Sequence, residues 1–147
     1  SRNGAEGSSL ADIYIYAKLY KTRRILFMAQ KVIAAVDDLF FAAKIRAVAD
    51  HLGVQVRFAK SAAAVIEAAQ AEAASVIVVD LHSQKCEPLE LARQLKSDAK
   101  LRSVTLIGFF SHVETALQQA ATAAGYDRVL PRSAFTNNLA RILRGEF

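Results

Sequence analysis

The chain is poor in the residues that build covalent frameworks and metal clusters. Its 147 residues include one cysteine, Cys86. A single thiol closes no internal disulfide, and it suits a reducing cytoplasm. There is no Cys-x-x-Cys pair and no Cys/His cluster, so a zinc site has no ligand set to draw on. No apolar run is long enough to cross a membrane. Neither G-x-G-x-x-G nor G-x-x-x-x-G-K-[ST] occurs, which argues against dinucleotide and P-loop binding. His82 and His112 have no Ser or Cys at a recognisable spacing, so a hydrolase triad is not supported.

What the chain does have is a large apolar fraction, 53%, rich in Ala and Val. That composition is globular, and the length suits one domain with a proper core. The net charge of +5 is unevenly placed. Residues 1–27 hold Arg2, Lys18, Lys21, Arg23 and Arg24 against Glu6 and Asp12. The remainder holds 14 basic and 12 acidic residues, without a concentrated basic stripe. Nucleic acid is therefore not expected as a partner.

Residues 1–27 differ from the rest. Ser1 to Ser9 is rich in Ser and Gly and reads as flexible. Ala11 to Phe27 sets three tyrosines among basic residues. The only Met, Met28, directly precedes the first good strand. We expect residues 1–27 to be a flexible or non-native extension, with the domain at residues 28–147. The functional alternative is a basic, aromatic helix that mediates dimerisation or touches an anionic membrane.

From Met28 onward the pattern alternates. Lys31–Val36 and Ser75–Val79 are apolar runs of the kind buried on both faces of a parallel sheet. Phe41, Ile45, Val48 and Leu52 recur at helical spacing, with Gly53 at the helix end. Val54–Phe58 alternates, as a more exposed strand does. Ser61 caps a helix over 62–74, and Pro88 opens another containing Leu91 and Leu95. Val104–Phe109 is a fourth strand, followed by a helix from about Val113 with Ser111-His112 as its cap region. Arg128–Leu130 is a short fifth strand. Phe135, Leu139, Ile142 and Leu143 mark the last helix. Five βα units predict a flavodoxin-like parallel α/β sheet in the order 2-1-3-4-5, strands one and three being the most apolar. Asp37 and Asp38 then follow strand one, Asp80 ends its neighbour, and the three converge where such sheets bind ligands. Three close carboxylates call for a cation, and Mg²⁺ is the natural one. A magnesium-bound aspartate can also be a nucleophile toward phosphate.

This arrangement resembles the receiver domain of bacterial two-component response regulators, the CheY-like family, from Lys31 to Gly145. Val36-Asp37-Asp38 is similar to the family's acidic pair. Asp80 falls at the phospho-accepting aspartate. Pro88-Leu-Glu-Leu91 stands at the family's leucine-rich helix start, and Ala124-Gly125 matches its Ala-Gly. Arg132 lies at the spacing of the invariant lysine. The resemblance implies phosphorylation of Asp80, Mg²⁺ held by Asp37, Asp38 and Asp80, and Arg132 and Ser111 as phosphate-binding and switch residues. It implies a partner surface at Phe109, Phe110 and Tyr126, a histidine kinase or phosphotransfer protein upstream, and a downstream protein partner. Neither a membrane nor an enzymatic activity beyond self-phosphorylation and dephosphorylation is expected, and a homodimer stays open.

Four departures mark an atypical member. Arg132 replaces the lysine and is not its equivalent; it could meet a phosphate or pair with Asp80. Phe110 takes the switch Thr/Ser position, with Ser111 one residue later, on the other face unless the strand bulges. Leu39-Phe40-Phe41 follows the acids directly, and Phe40 is expected to cover the pocket. Leu81 to Glu87, with Cys86 in an exposed and inert position, replaces the usual Met-Pro segment. The alternative is a pseudo-receiver that signals by contact alone. A haloacid-dehalogenase-like phosphatase is a further alternative, but Asp37-Asp38-Leu39 lacks its DxD spacing. No output domain is expected after the last helix.

Overall fold

The computed structural model describes residues 9–28 and 30–146. After helix α1 (Leu10–Met28), strands and helices alternate: β1 (Lys31–Ala35), α2 (Leu39–Leu52), β2 (Gln55–Phe58), α3 (Ala62–Ala71), β3 (Val76–Asp80), α4 (Pro88–Ser97), β4 (Thr105–Phe110), α5 (Thr115–Ala124) and β5 (Arg128–Pro131). Two short helices follow, α6 (Arg132–Asn137) and α7 (Leu139–Leu143). The strands form one parallel sheet, β2-β1-β3-β4-β5, as the apolar ranking of β1 and β3 requires.

Alternate residues of each central strand feed two cores, because strand side chains point to opposite faces in turn. Ile33, Ala35, Ile77, Val79 and Leu106 pack with Val65 of α3, Leu91 of α4 and Ala121 of α5. Val32, Ala34, Val76, Val78 and Ile107 pack with Phe41 and Ile45 of α2, Phe135 of α6 and Leu139 of α7. The sheet is therefore covered on both sides, and its carboxyl edge is left to the loops.

Local chemistry sets the helix ends. Ser61 accepts the Ala64 N–H, and Gly53 closes α2 at φ 72°, a conformation other residues adopt only with strain. Pro88 stands at the start of α4. Other ends differ from expectation. The helix after Ser61 stops at Ala71, not at residue 74. The helix expected from Val113 starts at Thr115, and its N-cap is Glu114 with no side-chain bond, so Ser111-His112 does not cap it. The last helix is broken at Asn138, whose side-chain amide donates to the Ala134 carbonyl at 2.8 Å. A side chain that competes for a backbone carbonyl in this way favours a break.

α1 leaves Leu10, Tyr14, Tyr16 and Tyr20 exposed. It supplies helical structure where only an alternative reading expected it. The Ser/Gly-rich residues 1–8 lie outside the described residues. No described helix is long and apolar enough to cross a membrane.

Candidate functional site at the carboxyl edge of the sheet

The strand registers gather the expected acids at one edge. β1 pairs with β3 from Val32–Val76 to Ala35–Val79, so Asp37 and Asp38 leave β1 beside Asp80 at the end of β3. β4 ends at Phe110 opposite Pro131, which places Ser111 in the loop after β4 and Arg132 at the first residue of α6, along the same edge.

Each acid is already engaged by the chain. Asp38 is the N-cap of α2: its Oδ1 accepts the N–H groups of Phe40 at 2.9 Å and Phe41 at 3.1 Å. Its Oδ2 accepts from the Arg132 guanidinium at 3.1 Å. The Phe41 amide and then Arg132 hold the Asp38 carboxyl below its ordinary value of 3.8. Arg132 therefore pairs with Asp38, not with Asp80. The cause is a platform: its guanidinium carbon lies 4.1 Å from the centre of the Phe41 ring, in a cation–π stack. Phe41 is fixed in turn against Phe109 and Phe135, at ring-centre distances of 5.1 and 5.7 Å.

Asp80 accepts the His82 N–H on Oδ1 at 2.9 Å, and its carbonyl accepts the Ser83 N–H at 3.0 Å. These two bonds fold residues 80–83 into a tight turn. Ser83 donates from its hydroxyl to Asp37 Oδ2 at 2.7 Å. Asp37 and Asp80 thus each keep one carboxylate oxygen without a protein partner among the described residues, whereas both oxygens of Asp38 are engaged. The donor chemistry fits a hard cation, which takes one or two carboxylates and completes its shell with water and phosphate. Among the described residues, no three acidic, His or Cys groups already converge as a metal cage.

Other expectations are corrected. Phe109, Phe110 and Tyr126 are buried, at 1%, 4% and 4% exposure, so they are core and not a partner surface. Tyr126 instead donates from its hydroxyl to the Pro88 carbonyl at 2.9 Å, and burial pushes its phenol well above the usual range. Phe40 is 91% exposed and covers nothing; its neighbour Phe41 turns inward. Cys86 is fully buried, because its loop folds back into the core beside Tyr126. Burial raises its thiol, which fits the expected inertness. Ser111 and His112 are exposed, and the His82 and His112 rings meet edge to face at 6.0 Å. The sequence reading missed Ser83: a serine in a turn carries no signal until the fold brings residue 37 to it.

Neither a family model nor a curated protein sequence matches the chain. Solved structures do. The chemotaxis response regulator CheY4 of Vibrio cholerae superposes with a TM-score of 0.69 at 16% identity, over 78% of this chain and 96% of that one. The receiver domain of a sensor histidine kinase from Pseudomonas aeruginosa, with magnesium coordinated in its active-site cleft, gives 0.69 at 18% identity, over 78% and 94%. The chain has the receiver-domain fold. A response regulator of Burkholderia pseudomallei, bearing a phosphorylated aspartic acid, a calcium ion and citrate, gives 0.67 at 22% identity, over 78% and 66%. At the carboxyl edge of this sheet, Arg132 rests on Phe41 and Asp38.

Proposed function

We propose that the chain is a receiver module of two-component signalling that accepts a phosphoryl group on Asp80. One observation carries this reading: Asp80 ends the central strand β3 directly beside the Asp37-Asp38 pair that follows β1. Asp80 supplies the carboxylate nucleophile, and Oδ2 is its oxygen without a protein partner among the described residues. Asp37, Asp38 and Asp80 would hold Mg²⁺, which supplies charge neutralisation for the incoming phosphate. Asp38 gains ligand capacity when Arg132 leaves it, and the freed guanidinium then suits the phosphate, which its planar fork can engage with two bonds. Ser111, on the loop after β4, is the hydroxyl next to the switch position that Phe110 takes, and it serves for the readout. The donor is a histidine kinase or phosphotransfer protein, and the output is contact with a downstream protein in the cytoplasm. Residues 28–147 form this module, with residues 1–27 outside it.

The ion pair between Arg132 and Asp38 favours a second reading, a pseudo-receiver that signals without phosphate. One experiment separates the two. Amide spectra are recorded during titration with Mg²⁺ and then beryllofluoride, a phosphoryl mimic, for wild type and Asp80→Asn. The phospho-receiver reading expects Mg²⁺ to move amides around Asp38 and Asp80. Beryllofluoride then moves residues 108–114 and Arg132 in wild type only. A folded protein whose spectrum ignores both ligands is a pseudo-receiver.

A further inference from the structure

Ser83 is buried, at 4% exposure, where the core around it is apolar apart from the Cys86 thiol and the Tyr126 hydroxyl. A buried hydroxyl is costly unless it is bonded, and this one has an ionisable partner 46 residues away, at 2.7 Å. The bond joins the loop after β3 to the loop after β1. Asp37 itself is exposed, so without the bond nothing among the described contacts restrains its carboxylate. Ser83 in turn is placed by Asp80, whose carbonyl and carboxylate accept the N–H groups of Ser83 and His82. On the far side the loop is anchored by Leu81, whose N–H donates to the Phe109 carbonyl at 2.9 Å, and by Cys86 in the core. The two acids are thus linked through one rigid turn.

We propose that Ser83 is a positioning residue for the acidic site: its hydroxyl fixes one oxygen of Asp37, so that this carboxylate meets a divalent cation in a single orientation through the other. This inference rests on the proposed binding of Mg²⁺ by the same acids.

The test uses the full chain and Mg²⁺ alone, with affinity read by calorimetry and amide shifts. Removing a group that orients a metal ligand characteristically weakens binding about 10-fold or more, and that is the loss expected for Ser83→Ala. Ser83→Thr, which retains the hydroxyl, should keep wild-type affinity. In an Asp37→Asn background, Ser83→Ala should cost no further affinity, because the carboxylate it orients is gone. Urea midpoints recorded alongside separate positioning from a purely structural role, which would lower stability and leave the affinity of the folded protein unchanged. Equal affinities of wild type and Ser83→Ala overturn the role of Ser83 while leaving the receiver reading intact. So does an equal loss in the Asp37→Asn background. A wild-type protein that ignores Mg²⁺ overturns the metal reading, and this inference with it.

Discussion

Gly108 sits in the middle of β4, opposite Val79 of β3 and Val129 of β5. A Cβ added there would lie 2.8 Å from Leu81 Cδ2, 3.0 Å from Cγ and 3.1 Å from Cδ1. All three atoms belong to the branched end of one side chain, which is 5% exposed. Leu81 cannot retreat freely, because its side chain is packed in the core and its main chain is held by the N–H bond to the Phe109 carbonyl. Gly108→Ala therefore overpacks the core, at a cost of about 1–3 kcal/mol. The substitution also removes backbone freedom from the unfolded chain, which returns about 0.4–1 kcal/mol. The net expectation is a loss near 1 kcal/mol, read as a lower urea midpoint at unchanged m-value. Leu81→Ala alone should cost about 2–5 kcal/mol through the cavity it leaves. In the double variant the new methyl enters that cavity, so the double loss should fall short of the sum of the single losses by at least about 0.5 kcal/mol. Strictly additive losses, or a Gly108→Ala protein as stable as wild type, would refute the close approach. The clash also bears on the site, since Leu81 directly follows Asp80.

Two further predictions concern the second core and its link to Arg132. Phe135→Ala removes a fully buried ring stacked on Phe109 at 4.7 Å and should cost about 3–5 kcal/mol in urea unfolding; a loss below about 1 kcal/mol would show that the aromatic cluster does not hold this face together. Asp38 has a depressed folded-state pKa, so its contribution to stability is present above its ordinary value of 3.8 and is lost as pH falls through the lower folded value. Asp38→Asn keeps the oxygen that caps α2 and loses the ion pair. The stability gap between wild type and this variant should therefore shrink as pH drops from about 5 to about 3, and a gap that stays constant would rule out the Arg132 pairing.

Periodicity and apolar content were enough to reveal the alternation of strands and helices, and the ranking of β1 and β3 as most apolar was enough for the sheet order. Both signals are local, and burial on two faces leaves a plain mark on a strand. Asp37, Asp38 and Asp80 were legible for the same reason: strand ends are visible, and parallel topology brings them to one edge. Helix ends were less legible at Thr115 and Asn138, where capping depends on bonds that spacing does not encode. Exposure was the least legible property. Phe40 and Phe41 are adjacent and alike, yet one faces solvent and the other carries Arg132, because a helix start rotates neighbouring side chains about 100° apart. Cys86, Phe110 and Tyr126 went into the core for reasons of loop path and sheet face that no linear pattern states. The fold class and the strand-end positions of Asp37, Asp38 and Asp80 are readable from the linear chain, because both follow from local pattern and strand order. Which donor holds each acid is settled by packing between distant segments. Arg132 reaches Asp38 across a Phe41 platform, and Ser83 reaches Asp37 across 46 residues, so both choices depend on contacts between segments far apart in the chain.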